Sequence, residues 1–227
     1  MATWNELPRG RLLADVSMWS ANLANLESDI AVVEGLADSF HFDIADAHFA
    51  PSLLFFPDLI RALRPLTAVP FHVHLMMQSP NNLLDEFLSA GSDLVTVHVE
   101  IAASDVRQAL TQLRAAGCGC GIALKLETPI EAAAPFLEVV DTVLLLGTAI
   151  GVKGQKLAPA ACDRIRQMKR LLDEREHGGV RIIADGGVRR DTVPLLRAAG
   201  ADAVVPGSLV FADEHPAAAL RRLRSLA

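Results

Sequence analysis

Eight short apolar runs, each four to six residues long, recur along the chain and are separated every time by an amphipathic stretch of helical length. The runs are Leu12-Ser17, Phe40-Ile44, Pro70-Leu75, Leu94-His98, Gly121-Lys125, Thr142-Leu146, Val180-Ala184 and Ala203-Pro206. Runs of this length, apolar throughout, suit strands buried on both faces, which is how parallel sheets covered by helices read in sequence. The intervening stretches have helical spacing: Val106, Leu110 and Leu113 stand at i, i+4 and i+7. Thr128-Pro129-Ile130-Glu131 has the pattern of a capping box, and Ser79-Pro80 and Ser104-Asp105 read as two more helix starts. Gly35, Gly91, Gly117 and Gly200 fall where a left-handed residue would end a helix. Eight such units without a linker or a break in composition predict an α/β fold of the (β/α)8 TIM-barrel type, with a doubly wound open sheet as the alternative.

Composition sets outer bounds. With 227 residues, 51% of them hydrophobic, the chain can bury a large core as a single barrel domain spanning 1-227. A formal charge of -6 with scattered basic residues argues against nucleic acid or an anionic membrane surface as partner, so an anionic substrate would need a local positive site. Cys118, Cys120 and Cys162 form neither a disulfide framework nor a CxxC pair and are expected to pack as small apolar residues in a reducing compartment. Met1 to Gly10 lacks an apolar targeting core, and no run approaches the roughly 18 apolar residues of a membrane span. A cytoplasmic protein is expected.

Polar residues break into the apolar runs mainly at their C-terminal ends, where a barrel carries its functional face. Side chains at i and i+2 of a strand project to the same side, so His41 and Asp43 point together at the end of the second strand and His72 and His74 at the end of the third. Asp185 ends the seventh strand. Two imidazoles and two carboxylates can then converge on one point, a donor set that suits Zn2+ or Fe2+ better than Mg2+.

Several segments, in order, carry a likeness to a known family: Ser17-Met18-Trp19-Ser20-Ala21-Asn22-Leu23, His41 to Pro51, His72-Val73-His74-Leu75-Met76, Val97-His98-Val99-Glu100, Gly151-Val152-Lys153-Gly154-Gln155, Ala184-Asp185-Gly186-Gly187-Val188 and Gly207-Ser208. Together they resemble the ribulose-phosphate 3-epimerases and the wider ketose-phosphate 3-epimerases, which share a ribulose-phosphate-binding barrel. The resemblance implies that His41, Asp43, His74 and Asp185 bind one divalent metal per subunit, Zn2+ or Fe2+, with Mn2+ or Co2+ as further options. It implies that Asp43 and Asp185 are the acid/base pair and that Ser17, His74 and Met76 face the sugar. Gly151, Gly154, Gly186, Gly187, Gly207 and Ser208 would hold the phosphate through backbone N–H groups. A homo-oligomer, dimer or hexamer, is also implied.

Departures from the family pattern fall in the pocket lining. Ala45-Asp46-Ala47 stands where the family usually has Met-Asp-Gly, Ile150-Gly151-Val152-Lys153-Gly154-Gln155 replaces a Pro-Gly-Phe-Gly-Gly-Gln loop, and Ala45 and Leu146 replace two of three capping methionines while Met76 remains. His72 stands where the family often has Asp and is left outside the ligand set. Lys153 could place an ammonium on the phosphate, Asp46 and His48 could simply hold the turn after the second strand, and His98 and Glu100 read as barrel-lining groups bonded to each other. The expected reaction is C3 epimerisation between D-ribulose 5-phosphate and D-xylulose 5-phosphate by two-base proton transfer through an enediolate. The alternatives are the same reaction on allulose 6-phosphate or a tetrulose phosphate, or a non-catalytic phosphosugar-binding barrel. An aldolase or decarboxylase on this fold is disfavoured, since neither an Asp-x-Lys-x-x-Asp array nor a well-placed Schiff-base Lys is present.

Overall fold

A computed structural model describes residues 4–226. Its nine strands are β1 (Leu13–Ser17), β2 (Ser39–Asp46), β3 (Leu53–Leu54), β4 (Phe71–Met76), β5 (Leu94–His98), β6 (Gly119–Leu124), β7 (Thr142–Leu146), β8 (Arg181–Asp185) and β9 (Ala203–Val205). All but β3 run parallel, in the ring order β1, β2, β4, β5, β6, β7, β8, β9, and β1 closes the ring by pairing with both β2 and β9. β3 is a two-residue strand lying antiparallel to the end of β2. The helices are α1 (Leu26–Val33), α2 (Pro57–Leu63), α3 (Leu84–Ser89), α4 (Ala103–Ala115), α5 (Ala161–Glu174), α6 (Val193–Ala199), α7 (Ser208–Phe211) and α8 (Pro216–Ser225). The architecture is therefore a (β/α)8 TIM barrel, and each of the eight apolar runs contains or overlaps one barrel strand.

Alternation along each strand divides the buried residues into two cores. Phe40, Phe42 and Ile44 of β2, with Phe71, Val73 and Leu75 of β4, belong to the layer shared with the helices. The residues between them point into the barrel. Leu13, Leu94, Ala123, Leu144, Ile183 and Ala203 pack there around Trp4, whose indole lies 5.6 Å from the His72 ring. Arg181 ties this plug down by donating to the Trp4 carbonyl at 3.2 Å. Above this floor, β1, β2, β4 and β5 carry buried polar side chains, among them Asp15, His41, Asp43, His72, His74 and His98.

Three local expectations are corrected. Ile130–Val139 is a 3-10 helix, because Pro135 inside it has no N–H to give and the Thr128 hydroxyl donates to Glu100 instead of capping a helix. Ser104 lies inside the first turn of α4, which starts at Ala103. Gly91, Gly117 and Gly200 are left-handed as expected, with φ of 98°, 71° and 112°, whereas Gly35 is not among the left-handed glycines and α1 ends on a right-handed Glu34.

Phe71 is fully buried, packs edge-on against Phe42 with centroids 4.8 Å apart, and carries the Arg64 guanidinium 3.8 Å from its ring centre. Truncation leaves a cavity that β4 cannot close without losing its pairing on both sides. Phe71→Ala is expected to lower unfolding free energy by about 3–5 kcal/mol in urea titrations with an unchanged m-value.

Candidate active site

Strand register brings the polar residues together. Asp43 and His74 are direct neighbours across β2 and β4, and His41 is the neighbour of Ser17 on one side and His72 on the other. His41 Nε2 lies 3.1 Å from Asp43 Oδ1, and His74 Nδ1 lies 3.2 Å from the same oxygen and 3.8 Å from Asp185 Oδ2. Each of these four residues offers a donor atom within 4.8 Å of the others. Donors on one tetrahedral ion with bonds of about 2.0–2.2 Å stand about 3.3–3.6 Å apart, so the set fits a single divalent cation of the zinc type. The Ser17 hydroxyl donates to Asp43 Oδ2 at 3.2 Å from the β1 side.

A second ring of polar groups supports the first. Asp15 accepts from His41 Nδ1 at 2.9 Å and from His72 Nδ1 at 2.6 Å, while its other oxygen takes the Ser39 hydroxyl at 2.6 Å. Asp15, His41 and His72 also form a compact buried group of possible donors, but separations this short are those of hydrogen bonds, and His72 Nε2 pairs with the Thr96 hydroxyl at 2.8 Å. His72 therefore stays outside the four-residue cluster. On the β5 side, His74 Nε2 meets His98 Nε2 at 2.9 Å and His98 Nδ1 meets Glu100 Oε2 at 2.8 Å, so His98 and Glu100 are bonded to each other.

Burial and mutual charge set the protonation of the metal-free cluster. Burial works against ionisation of Asp43, but the His41 charge and the hydrogen bonds from His41 and His74 outweigh it and hold the carboxyl well below the usual range. For Asp185, burial and the nearby Asp43 charge act together and push it up to about 6. Burial lowers the His41 pKa, yet Asp43 and Asp15 on its two sides raise it well above the ordinary value. The cluster is thus one ionised carboxylate beside a carboxyl that keeps its proton longer.

Above the cluster is a cleft. Asp43 and Asp185 reach it, and so do Ser17, Met76, Gly151, Gly154, Gly186, Gly187, Gly207 and Ser208, while His41 and His74 lie beneath, with no exposure. Gly187 has φ 68°, and a Cβ there would stand 2.5 Å from the Leu157 Cα, so only glycine lets this turn approach the β7 loop. Leu146 lines the cleft, and Ala45 packs beside it with Met76 and Ala50. Lys153 also lines it, with its ammonium donating to the Trp19 carbonyl at 2.7 Å. The sequence reading missed Arg189, which borders the cleft and donates to the Gly154 and Gln155 carbonyls at 3.0 and 3.2 Å, and it missed Asp15 altogether. Asp46 accepts from the backbone N–H groups of His48, Phe49 and Gln78, the work of a turn-holding residue. His48 follows in that turn, its ring within 2.8 Å of the Asp46 carbonyl.

Comparison with known proteins identifies the family. The profile of the "Ribulose-phosphate 3 epimerase family" matches residues 14–211. The chain belongs to the ribulose-phosphate 3-epimerase family. It is 34% identical over 209 residues to the ribulose-phosphate 3-epimerase of Bacillus subtilis, covering 92% of this chain and 96% of that protein. The enzyme of the same name from Synechocystis is 35% identical over 92% of this chain and 91% of its own. Among solved structures, 3-hexulose-6-phosphate synthase from Salmonella typhimurium superimposes with a TM-score of 0.69 at 18% identity, over 95% of this chain and 98% of that one. Orotidine 5'-phosphate decarboxylase from Pyrococcus horikoshii gives 0.68 at 16%, over 94% and 98%. At such identities these two share the barrel with the epimerase-family chain and nothing further.

The raised pKa of Asp185 has a stability consequence. Between the unfolded value of about 4 and the folded value of about 6, the metal-free native state binds more protons than the unfolded chain, so this group lowers stability as pH rises through that window. Asp185→Asn removes the loss: metal-free variant and wild type should unfold alike near pH 4, and the variant should be more stable by on the order of 2 kcal/mol at pH 7. Urea titrations of chelator-treated protein at both pH values check this.

Proposed function

We propose that the protein is a metal-dependent ketose-phosphate 3-epimerase that interconverts D-ribulose 5-phosphate and D-xylulose 5-phosphate. The observation that carries this reading is the pair Asp43 and Asp185, which reach one cleft from β2 and β8 with a buried two-histidine cluster between and beneath them. Inverting a carbon beside a ketone needs a base on one face of the substrate and an acid on the other. In one direction the ionised carboxylate takes the C3 proton and the protonated one returns a proton to the opposite face; in the other direction the roles exchange. The Ser17 hydroxyl, bonded to Asp43, orients that carboxylate and can turn to a sugar oxygen. Met76 and Leu146 supply apolar walls that keep solvent protons from competing. The glycine turns at Gly151, Gly154, Gly186 and Gly187, with Gly207 and Ser208, border the same cleft and offer backbone N–H groups to the phosphate.

His41, Asp43, His74 and Asp185 would hold the ion. Bound there, a divalent cation supplies a Lewis acid for the negative charge that develops on the enediolate oxygens. Homo-oligomerisation is proposed on the family likeness alone.

Leu146 in the cleft wall and Ala45 behind Met76 favour a second reading on the sugar, in which the same chemistry acts on another ketose phosphate such as allulose 6-phosphate or a tetrulose phosphate. One experiment separates the readings. In heavy water, the zinc- or iron-loaded enzyme should incorporate deuterium at C3 of its ketose phosphate, and the substrate exchanging with the highest kcat/KM is the physiological type. Asp43→Asn and Asp185→Asn should each lower kcat by a factor of at least about 100. No exchange with any ketose phosphate would leave a phosphosugar binder, and full activity in Asp185→Asn would overturn the two-base mechanism.

A further inference from the structure

A neutral imidazole carries its proton on one nitrogen only, and the partner of that nitrogen decides which one is left bare to bind a metal. At His74, Nδ1 faces Asp43 and Asp185 while Nε2 lies 2.9 Å from His98 Nε2. Two imidazole nitrogens at that distance share one proton, so one donates and the other accepts. The choice is made further out. His98 Nδ1 lies 2.8 Å from Glu100 Oε2, and the other Glu100 oxygen takes the Lys125 N–H at 2.7 Å together with the Thr128 hydroxyl. A carboxylate can only accept, so His98 carries its proton on Nδ1, offers a bare Nε2, and accepts the hydrogen bond that the His74 Nε2–H donates. His74 Nδ1 is thereby left bare towards the cluster.

The other histidine is set the opposite way. Asp15 Oδ2 accepts from His41 Nδ1 at 2.9 Å, with its remaining oxygen engaged by Ser39, so Nε2 of His41 faces the cluster. Asp15, His41, His74 and His98 have no solvent exposure, so water cannot take over any of these partnerships.

We propose that Glu100, acting through His98, and Asp15, acting directly, are positioning residues that assign the ligand nitrogen of each histidine: Nδ1 for His74 and Nε2 for His41. This rests on the reading of His41 and His74 as metal ligands. Such outer partners typically govern metal affinity by a factor of about 10–100. The two relays reach the cluster from β1 and from the end of β5, and Asp15, His98 and Glu100 are not among the residues that line the cleft.

The test uses full-length, histidine-15N-labelled protein loaded with Zn2+. Long-range 1H–15N spectra should show a proton on His74 Nε2 and on His41 Nδ1, with the other nitrogen of each at a metal-bound shift. Zinc affinity by chelator competition should fall about 10–100-fold in His98→Leu. It should stay within about threefold of wild type in His98→Gln, whose amide can accept from His74 through oxygen and donate to Glu100 through nitrogen. Wild-type spectra with His74 bound through Nε2 would overturn the inference whether or not the variants fold, as would a folded His98→Leu that binds zinc as tightly as wild type. Absence of zinc uptake by wild type would overturn the metal reading itself, which is a different result from uptake through the wrong nitrogen.

Discussion

Two carboxylates and two imidazoles with donor atoms inside 4.8 Å are costly to bury unless positive charge is shared among them. Without an ion, the protein meets that cost with protons: His41 holds one more readily than an ordinary histidine, and Asp185 holds one to about pH 6. A divalent cation would replace those protons and bind all four groups at once. The cluster is thus held in an arrangement that could take one ion, and the strands around it organise it there.

That organisation follows from strand geometry. The two-residue alternation of β2 and β4 sends Phe40, Phe42, Phe71 and Val73 outward into helix packing and, by the same step, sends His41, Asp43, His72 and His74 inward. Below them Trp4 and a ring of aliphatic side chains close the barrel floor, so the inward polar groups can meet only each other and the cleft. Asp15 and Glu100 then fix the outer edges of the network from β1 and from the end of β5.

The strands were legible in the sequence as apolar runs of strand length alternating with helical stretches, and the four-residue cluster as polar residues at strand ends that match the family pattern. Asp15 was not legible, since within Leu13-Ala14-Asp15-Val16-Ser17 it looks like a single polar interruption, and its partners His41 and His72 are distant in sequence. Arg189 was missed for a related reason, because its role depends on where the loop after β7 folds back. The failure at Ile130–Val139 was of another kind: a convincing capping pattern was overridden by Pro135 and by a tertiary bond from Thr128 to Glu100. Fold likeness at 16–18% identity reaches enzymes that bear other names, so function here rests on the side chains and on family membership rather than on the barrel.

The central claim is that one divalent ion sits among His41, Asp43, His74 and Asp185. Anomalous diffraction at the zinc edge on crystals of the zinc-loaded protein tests it most directly. The account predicts a single strong peak about 2.0–2.2 Å from a nitrogen of each histidine and an oxygen of each aspartate. A peak among Asp15, His41 and His72 instead, or none inside the barrel, would contradict it.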